Sequence, residues 1–294
     1  MEYAVECTGL EKRYGDFVLG PLSLTVERGT VVGLIGQNGA GKTTLIKLLL
    51  GLVGADGGQI GLFGQRVPNP ENLPADTKAR IGVVLDTCSF TQTMKVDDVE
   101  ALGRAAYKEW DGRLFGELAD AFGLDPKKTV EKLSRGMGMK LSMAFALAHH
   151  PELLVLDEAT AGLDPMARDE VLDILRDFML DESHAILISS HITSDLEKIA
   201  DKIVLIDGGQ VLLSEQKEAL CDAAGIAHCR AGQLEEVLEL GLVDRERVRV
   251  LRHGYGVDLL VPDRFAFARA FPDAPVDRAT IEDYMNMMLK GEAL

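Results

Sequence analysis

The fold is decided by the stretch Val31-Val32-Gly33-Leu34-Ile35-Gly36-Gln37-Asn38-Gly39-Ala40-Gly41-Lys42-Thr43-Thr44. Its first five residues are apolar without alternation, which is typical of a strand buried on both faces of a parallel sheet. The next residues fit the phosphate-loop pattern G-x-x-x-x-G-K-[ST], and a helical segment, 44–50, follows. A chance glycine-rich turn is the alternative. Phosphate binding is favoured because a buried strand precedes the loop and a helix follows it.

Each part of this loop has a chemical task. Glycines allow backbone N–H groups to turn toward a β-phosphate, and the helix N-terminus adds about half a positive charge. We expect Lys42 to bridge the β- and γ-phosphates and the Thr43 hydroxyl to ligate Mg²⁺. The nucleotide-binding residues predicted in the loop are Gly36, Asn38, Gly39, Ala40, Gly41, Lys42, Thr43 and Thr44.

Further apolar runs predict the rest of an α/β fold with a mixed sheet. The buried strands are predicted at Ile81–Leu85, Leu153–Leu156, Ala185–Ile188 and Ile203–Ile206. Helical patterns separate them, so both faces of the sheet should be covered. Gly208-Gly209 should turn the last strand back into 211–213. Alternation at Leu22, Leu24 and Val26 indicates an N-terminal antiparallel β subdomain.

The chain should divide into two units. Residues 1–213 should form the nucleotide-binding domain, with a helical subdomain inserted at about 87–150, and residues 214–294 a small C-terminal α/β appendix. In the appendix we expect strands at Val248–Leu251 and Val257–Val261. A final helix should begin at Thr280 with four apolar residues on one face: Ile281, Tyr284, Met285 and Met288.

Capping residues predict where two helices of the larger unit begin. Asp164 can cap a helix that carries Pro165 in its first turn. Ser194 and Glu197 have the spacing of a capping box for the segment that ends near Ala200.

Composition excludes several classes of protein. The chain has 294 residues, with 31 basic and 47 acidic side chains and a formal net charge of -16, which disfavours nucleic-acid binding. No apolar run approaches the roughly 20 residues that cross a bilayer, and the N-terminus lacks the pattern of a secretion signal. The four cysteines have no metal-ligand spacing. We expect reduced thiols, with a Cys221–Cys229 disulfide as the alternative.

Acidic residues and a histidine follow two predicted strands. Asp157 and Glu158 come directly after Leu153–Leu156, at the sheet edge that also carries the phosphate loop. Asp157 is predicted to reach Mg²⁺, and Glu158 to orient or deprotonate the attacking water. His191 follows the strand 185–188 and is predicted to contact the γ-phosphate. The alternatives are a solvated acidic turn and a surface histidine.

The order of motifs narrows the family. Leu133-Ser134-Arg135-Gly136-Met137 precedes a helix and the metal-binding strand, and Ala161-Gly162-Leu163-Asp164 follows that strand. Over roughly residues 3–213 the chain resembles the ATP-binding subunits of ABC transporters. The resemblance implies that Tyr14 stacks on adenine, with an ordinary core tyrosine as the alternative. It also implies three further roles: Ser134 and Gly136 contact the γ-phosphate of ATP held by a partner subunit, Asp164 couples the two sites, and His191 is the switch histidine.

This sequence departs from the family pattern at a few positions. Asp86 replaces a glutamine that touches Mg²⁺ and the membrane partner; it could ligate the metal or simply face water. Arg135 and Met137 replace Gly and Gln of the signature, so Arg135 could approach the partner's γ-phosphate or point to solvent or to the membrane partner. Ala159 replaces a common proline. The combination resembles small bacterial exporter ATPases linked to drug or antimicrobial-peptide resistance.

The resemblance implies an ATP-hydrolysing motor of a membrane exporter that uses ATP and Mg²⁺. Two subunits, in a homodimer or a heterodimer with a related ATPase, would meet head to tail around two ATP molecules. A separate transmembrane permease would hold them on the cytoplasmic face of the cell membrane. The alternatives are a soluble ABC-type switch on the ribosome or DNA and a regulatory binder that does not hydrolyse ATP. The intact Lys42, Asp157, Glu158 and His191 disfavour the last.

Overall fold

The strands of the central sheet bury side chains on both faces of the sheet. The computed structural model describes residues 3–68, 70–239, 241, 243–244 and 248–293. The strands in chain order are β1 (Tyr3–Tyr14), β2 (Phe17–Glu27), β3 (Val31–Ile35), β4 (Gly57–Leu62), β5 (Gln65–Val67), β6 (Ile81–Val84), β7 (Leu153–Asp157), β8 (Ala185–Ser189), β9 (Lys202–Asp207), β10 (Gln210–Gln216), β11 (Gly225–Cys229), β12 (Arg249–His253), β13 (Gly256–Val261), β14 (Val276–Arg278) and β15 (Glu292–Ala293).

Helices cover these strands and connect them. They are α1 (Lys42–Leu49), α2 (Ala75–Lys78), α3 (Val96–Ala106), α4 (Gly112–Ala121), α5 (Arg135–Leu147), α6 (Pro165–Phe178), α7 (Thr193–Ile199), α8 (Leu234–Glu239), α9 (Arg264–Ala270) and α10 (Ile281–Lys290). Short 3-10 segments occur at Pro70–Asn72, Val130–Lys132 and Ala231–Gln233, and a π-helical turn at Ala219–Ala223.

The central sheet has the strand order β10-β9-β3-β8-β7-β6, with β10 antiparallel to β9 and the remaining neighbours parallel. Along β3, Val31 and Ile35 belong to the apolar cluster on one face, whereas Val32 and Leu34 belong to the cluster on the other. The predicted buried strands and the Gly208-Gly209 hairpin are confirmed. The uninterrupted apolar strand is therefore buried on both faces, as its pattern predicts, because it supplies side chains to two apolar clusters.

The N-terminal sheet is antiparallel, with the order β2-β1-β4-β5. Leu22, Leu24 and Val26 are buried, and Ser23 between them is exposed, as the alternation predicts. The helices α3, α4 and α5 lie between β6 and β7 in the chain. The predicted fold class is confirmed: an α/β fold with a mixed sheet, an antiparallel sheet and a helical insertion.

The chain after β10 builds a five-stranded sheet in the order β14-β11-β13-β12-β15. The predicted strands and the final helix are present, and Thr280 caps α10 by accepting from the backbone N of Asp283 at 3.0 Å. Ile281 is fully buried and belongs to the core cluster of the central sheet. The apolar face of α10 thus packs against the larger sheet unit as well as its own strands.

One predicted capping box is wrong. The helix α7 has Ile192 as its N-cap and no side-chain capping bond, so Ser194 lies inside the helix instead of before it. Glu197 is directed elsewhere: its Oε1 accepts a hydrogen bond from the backbone N of Ile281 at 2.9 Å. The glutamate therefore satisfies an open N–H at the start of α10, a long-range partner that local spacing does not reveal.

All four cysteines are free, so the Cys221–Cys229 disulfide is wrong. Burial raises the pKa of Cys221 and of Cys229 to about 11, and these thiols stay protonated at neutral pH. Within the described ranges, every helix is too short or too polar to cross a bilayer.

Candidate functional site

The carboxyl ends of three neighbouring parallel strands bring the predicted residues to one edge. Ser189, the last residue of β8, pairs with Leu34 of β3 on one side and with Asp157 of β7 on the other. The phosphate loop leaves β3 one residue after Ile35. Residues from three distant parts of the chain therefore meet at the edge where ligands bind in open α/β sheets.

The phosphate loop is shaped by backbone contacts and one buried cation. A Cβ on Gly36 would lie 2.1 Å from the carbonyl oxygen of Ile206, and its φ of 152° also favours glycine. Lys42 Nζ donates to the carbonyl oxygens of Gly36 at 2.7 Å and Gln37 at 3.3 Å. The ammonium group is buried, and its hydrogen bonds within the described part of the chain go to neutral carbonyls of its own loop, so an anion entering the loop would meet a positive charge.

A cavity of about 300 Å³ opens over this loop. It is lined by Phe17, Gln37, Asn38, Gly39, Ala40, Gly41, Lys42, Thr43, Thr44 and Glu158. Seven of the eight predicted loop residues, all but Gly36, thus line one cavity together with the predicted base. The cavity also opens at the N-terminus of α1, and the first N–H groups of a helix lack intrahelical partners and can donate to an anion.

Asp157 is held in place from the next strand. Its side chain is buried, and Oδ1 accepts a hydrogen bond from Ser189 Oγ at 2.5 Å. The same hydroxyl oxygen accepts from the backbone N of Glu158 at 3.3 Å. Ser189 therefore positions both acidic residues at once. Ser189 was not among the predicted site residues, although its place at the end of a buried strand is a signal in the sequence.

Glu158 and His191 form a close pair beside the cavity. Glu158 Oε2 lies 2.5 Å from His191 Nδ1 and accepts from the backbone N of His191 at 3.3 Å. Glu158 has a φ of 55°, which is rare for a residue with a side chain. Its backbone N donates to Ser189 O at 3.0 Å, which helps to hold this costly conformation. Backbone strain of this kind is found most often at functional sites.

Tyr14 ends β1 and faces solvent, with 45% of its surface exposed, so the core-tyrosine alternative does not apply. Lys12 Nζ lies 5.5 Å from its ring centroid. Phe17, its cross-strand partner, lines the loop cavity. Adenine stacking by Tyr14 stays a prediction. Phe17 is a second aromatic at this position that the sequence argument missed, since only the β1–β2 hairpin brings it beside the loop.

Ser134, Gly136 and Asp164 lie apart from the residues that line the loop cavity. Ser134 caps α5 by accepting from the backbone N of Met137 at 3.2 Å, and Asp164 caps α6 by accepting from Ala167 N at 3.1 Å. The two helix starts are neighbours, because a Cβ on Gly136 would lie 3.0 Å from Leu163 Cδ2. They form a second group of helix N-termini, separate from the phosphate loop.

Asp86 is exposed just after β6, and Arg135 reaches toward it. One guanidinium nitrogen of Arg135 donates to the carbonyl oxygen of Asp86 at 3.4 Å. The same side chain packs against Gly162, where a Cβ would lie 3.6 Å from Arg135 Cδ and from Nη1. Arg135 therefore contacts two loops of its own chain.

A larger cavity lies beside the residues that directly precede β6 and β7. It measures about 660 Å³, and its lining includes Arg80, Glu152 and His149. Arg80 makes two hydrogen bonds to Glu152, at 2.5 and 2.7 Å, and these lower the pKa of that carboxyl. Burial lowers the pKa of His149 and keeps its imidazole neutral. The predicted nucleotide residues do not line it.

Comparison with known proteins agrees with this arrangement. A family model described as ABC transporter matches residues 19–161. An ABC transporter ATP-binding protein of Synechocystis, itself called uncharacterized, is 31% identical over 288 residues, which cover 94% of this chain and 79% of the relative. The chain belongs to the ABC transporter ATP-binding proteins. As a member of this family it is an ATPase subunit that binds and hydrolyses ATP for transport.

Other relatives are transport proteins too. The bacitracin transport ATP-binding protein BcrA of Bacillus licheniformis is 34% identical, over 72% of this chain and 69% of the relative. The Nod factor export ATP-binding protein I of Sinorhizobium fredii is 36% identical, over 75% and 65%. A solved ATP-binding subunit of an ABC transporter has a TM-score of 0.67 at 26% identity, over 74% of this chain and 91% of that one. These matches disfavour a switch that takes no part in transport.

Proposed function

We propose that this ABC ATPase hydrolyses ATP with Mg²⁺ in a head-to-tail pair of subunits and drives export through a separate transmembrane permease. The observation that carries the proposal is the Glu158–His191 pair, 2.5 Å apart beside a cavity that contains the buried Lys42. A carboxylate hydrogen-bonded to an imidazole is a suitable acceptor for a proton of water. Lys42 and the α1 N-terminus would hold the triphosphate next to it.

The donors at this edge fit Mg²⁺. Thr43, whose side chain carries a hydroxyl, lines the cavity, and Asp157 supplies a buried carboxylate that Ser189 orients. Mg²⁺ prefers oxygen ligands and is usually held by one or two carboxylates plus substrate phosphates. Among the described residues, no three His, Cys, Asp or Glu side chains form a metal site by themselves. Asp86, at the end of the neighbouring strand, would be the second carboxylate. The metal would neutralise charge on the terminal phosphates.

The chemistry then divides between this chain's own groups. Glu158 orients the attacking water and receives its proton. The hydrogen bond from Ser189 fixes the carboxylate of Asp157 and keeps it from rotating toward Glu158. His191, 58% exposed, can turn from Glu158 toward a γ-phosphate. Tyr14 would stack on adenine. Ser134 and Gly136 would meet the γ-phosphate held by the partner, and Asp164 would couple the two sites. Separation of these groups from the loop cavity supports a site completed by a second subunit.

The direction of transport is inferred from relatives whose names specify export of Nod factor and transport of bacitracin. Export is the corresponding proposal for this chain. A permease in the cell membrane would hold the subunit on the cytoplasmic face. Residues 1–213 would act as the ATPase domain, with its helical subdomain at about 87–150, and residues 214–294 as an accessory domain. Among the described residues, the last five strands form a sheet of their own, which supports this division.

The decisive experiment replaces Glu158 with Gln. Binding of ATP should persist, because Lys42 and the loop are untouched, while hydrolysis should fall by about 100-fold or more, since general-base catalysis contributes about 10²–10⁴-fold. The uncleaved ATP should trap a dimer on size-exclusion chromatography. Glu117→Gln, at an exposed position on α4, is the control and should keep the parental rate. Parental turnover by the Glu158→Gln protein would refute Glu158 as the base.

A further inference from the structure

A side chain foreign to the usual signature links three segments of the site. Arg135 is the first residue of α5, directly after its cap Ser134. Its guanidinium group donates to the carbonyl oxygen of Asp86 at 3.4 Å. A Cβ added to Gly162 would be 3.6 Å from Nη1 of Arg135 and 3.7 Å from its Cζ, so the guanidinium group lies beside this glycine. One side chain therefore contacts both the loop after β6 and the loop between β7 and α6.

The first turn of α5 is built for this close approach. A Cβ on Gly138 would lie 3.1 Å from Cys88 Cβ, and a Cβ on Gly136 would lie 3.0 Å from Leu163 Cδ2. The helix backbone thus packs directly on the same two loops that Arg135 contacts. Two backbone contacts and one long polar side chain connect the three segments.

Each of these segments carries a residue of the proposed site. The loop after β6 carries Asp86, the start of α5 carries Ser134, and the loop after β7 runs from Glu158 to Asp164. Within that last loop, Ala161 N donates to Glu158 O at 3.1 Å, so Gly162 is one residue from a hydrogen bond to the predicted base. A displacement at Gly162 would be transmitted to the backbone of Glu158 over one short turn.

We propose that Arg135 is a positioning residue that holds the loop after β6 and the loop after β7 on the start of α5. The inference rests on the proposed function, since it assigns Asp86, Glu158 and Asp164 to one site. A guanidinium group is planar and presents five donors in a fixed fork, so it can pack flat on a glycine and donate to a carbonyl together. In this arrangement the three segments move as one body when ATP and the partner subunit arrive.

Two measurements test this positioning role of Arg135. Amide hydrogen exchange of the nucleotide-free chain should accelerate in residues 86–90 and 160–164 of Arg135→Ala by at least about fivefold, because local opening no longer breaks this contact. In steady-state hydrolysis, kcat should fall by about tenfold, since small misplacements of catalytic groups cost up to about 100-fold. The KM for ATP should change by less than about twofold, because the phosphate loop is untouched.

Two further variants distinguish the positioning contacts of Arg135 from an effect of its positive charge alone. Arg135→Lys keeps the positive charge but loses the flat fork, so we expect it to resemble Arg135→Ala in both readouts. Arg113→Ala, which removes an exposed arginine on α4, should match the parental protein. Recovery of kcat in Arg135→Lys would overturn the proposal in favour of a charge that attracts the partner's phosphate.

Unchanged exchange in both segments of Arg135→Ala would likewise overturn it. The exchange measurement contains no nucleotide and does not depend on Glu158 as the base. A failure of the positioning role of Arg135 can therefore be distinguished from a failure of the proposed function, which the Glu158→Gln protein tests separately.

Discussion

Oε2 of Glu158 lies 2.5 Å from Nδ1 of His191, although 33 residues separate them in the chain. The two side chains extend from the ends of neighbouring parallel strands, β7 and β8, whose register pairs Asp157 with Ser189. Sheet register thus brings together an acidic residue and a histidine whose contact with each other the sequence does not reveal. The residues that we propose as proton acceptor and phosphate sensor are therefore in contact with each other in the fold.

Removing the buried ammonium group of Lys42 should weaken the binding of ATP. Lys42→Ala removes a cation that now bonds to two backbone carbonyls and would otherwise meet the phosphates. A charge-assisted hydrogen bond contributes about 1.5–3 kcal/mol, so the loss should raise the Kd for ATP by about 10- to 150-fold. Titration calorimetry with ATP and Mg²⁺ measures this directly.

The same helix supplies the control for Lys42→Ala. Lys47 lies on the exposed side of α1 and does not line the loop cavity, so Lys47→Ala should bind ATP as the parental protein does. Equal affinity of the Lys42→Ala and parental proteins would show that the anion is held elsewhere.

Asp86 gives a prediction about metal dependence. Its position at the end of β6, next to β7 in the sheet, leads us to expect that it shares the metal with Asp157. Asp86→Asn replaces a carboxylate with a weaker amide ligand. The Mg²⁺ concentration for half-maximal hydrolysis should therefore rise, by about tenfold if one charged ligand contact worth about 1.4 kcal/mol is lost.

The measurement is a metal titration of hydrolysis at saturating ATP. Asp76→Asn, an exposed carboxylate before β6, should leave the titration unchanged. Overlapping curves for Asp86→Asn and the parental protein would mean that Asp86 only faces water.

Buried strands and the phosphate loop could be predicted because their signals are local. Val31 to Ile35 has no polar position, and such a run is stable only where apolar cores lie on both sides. Gly36 is required because any side chain would collide with the Ile206 carbonyl, and the motif records that constraint as a glycine.

Long-range partners could not be predicted in the same way. Glu197 has the spacing of a capping box, but its carboxylate bonds to Ile281, 84 residues away. Phe17 and Ser189 join the site through a hairpin and a sheet register, neither of which leaves a motif. Arg135 shows the same limit: sequence alone left its direction open, and only the fold brings Asp86 and Gly162 to either side of it.

The C-terminal sheet carries a histidine network that predicts pH dependence. His228 Nδ1 lies 2.7 Å from Asp258 Oδ1, and its Nε2 lies 3.2 Å from Asp277 Oδ2. His253 Nε2 lies 2.9 Å from the other oxygen of Asp258. Burial alone would lower the pKa of His228, but the hydrogen bonds and charges of Asp258 and Asp277 outweigh it, and the pKa is raised.

A histidine whose pKa is higher in the folded state stabilises that state when it is protonated. The contribution is complete below the ordinary value of about 6.5 and is lost as the pH rises through the raised pKa. Stability of the C-terminal sheet should therefore decline from about pH 6.5 upward. In Asp277→Asn the pKa of His228 should fall toward about 6.5, and the decline should flatten.

The imidazole signals of His228 in an NMR titration report its pKa, and thermal unfolding from about pH 5.5 to 8.5 reports the stability. Asp273→Asn removes an exposed charge four residues earlier and should alter neither. If Asp277→Asn leaves the titration of His228 where it is in the parental protein, Asp277 contributes nothing to the charge balance. Asp258 alone would then stabilise the protonated form of His228, because it is the nearer of the two carboxylates.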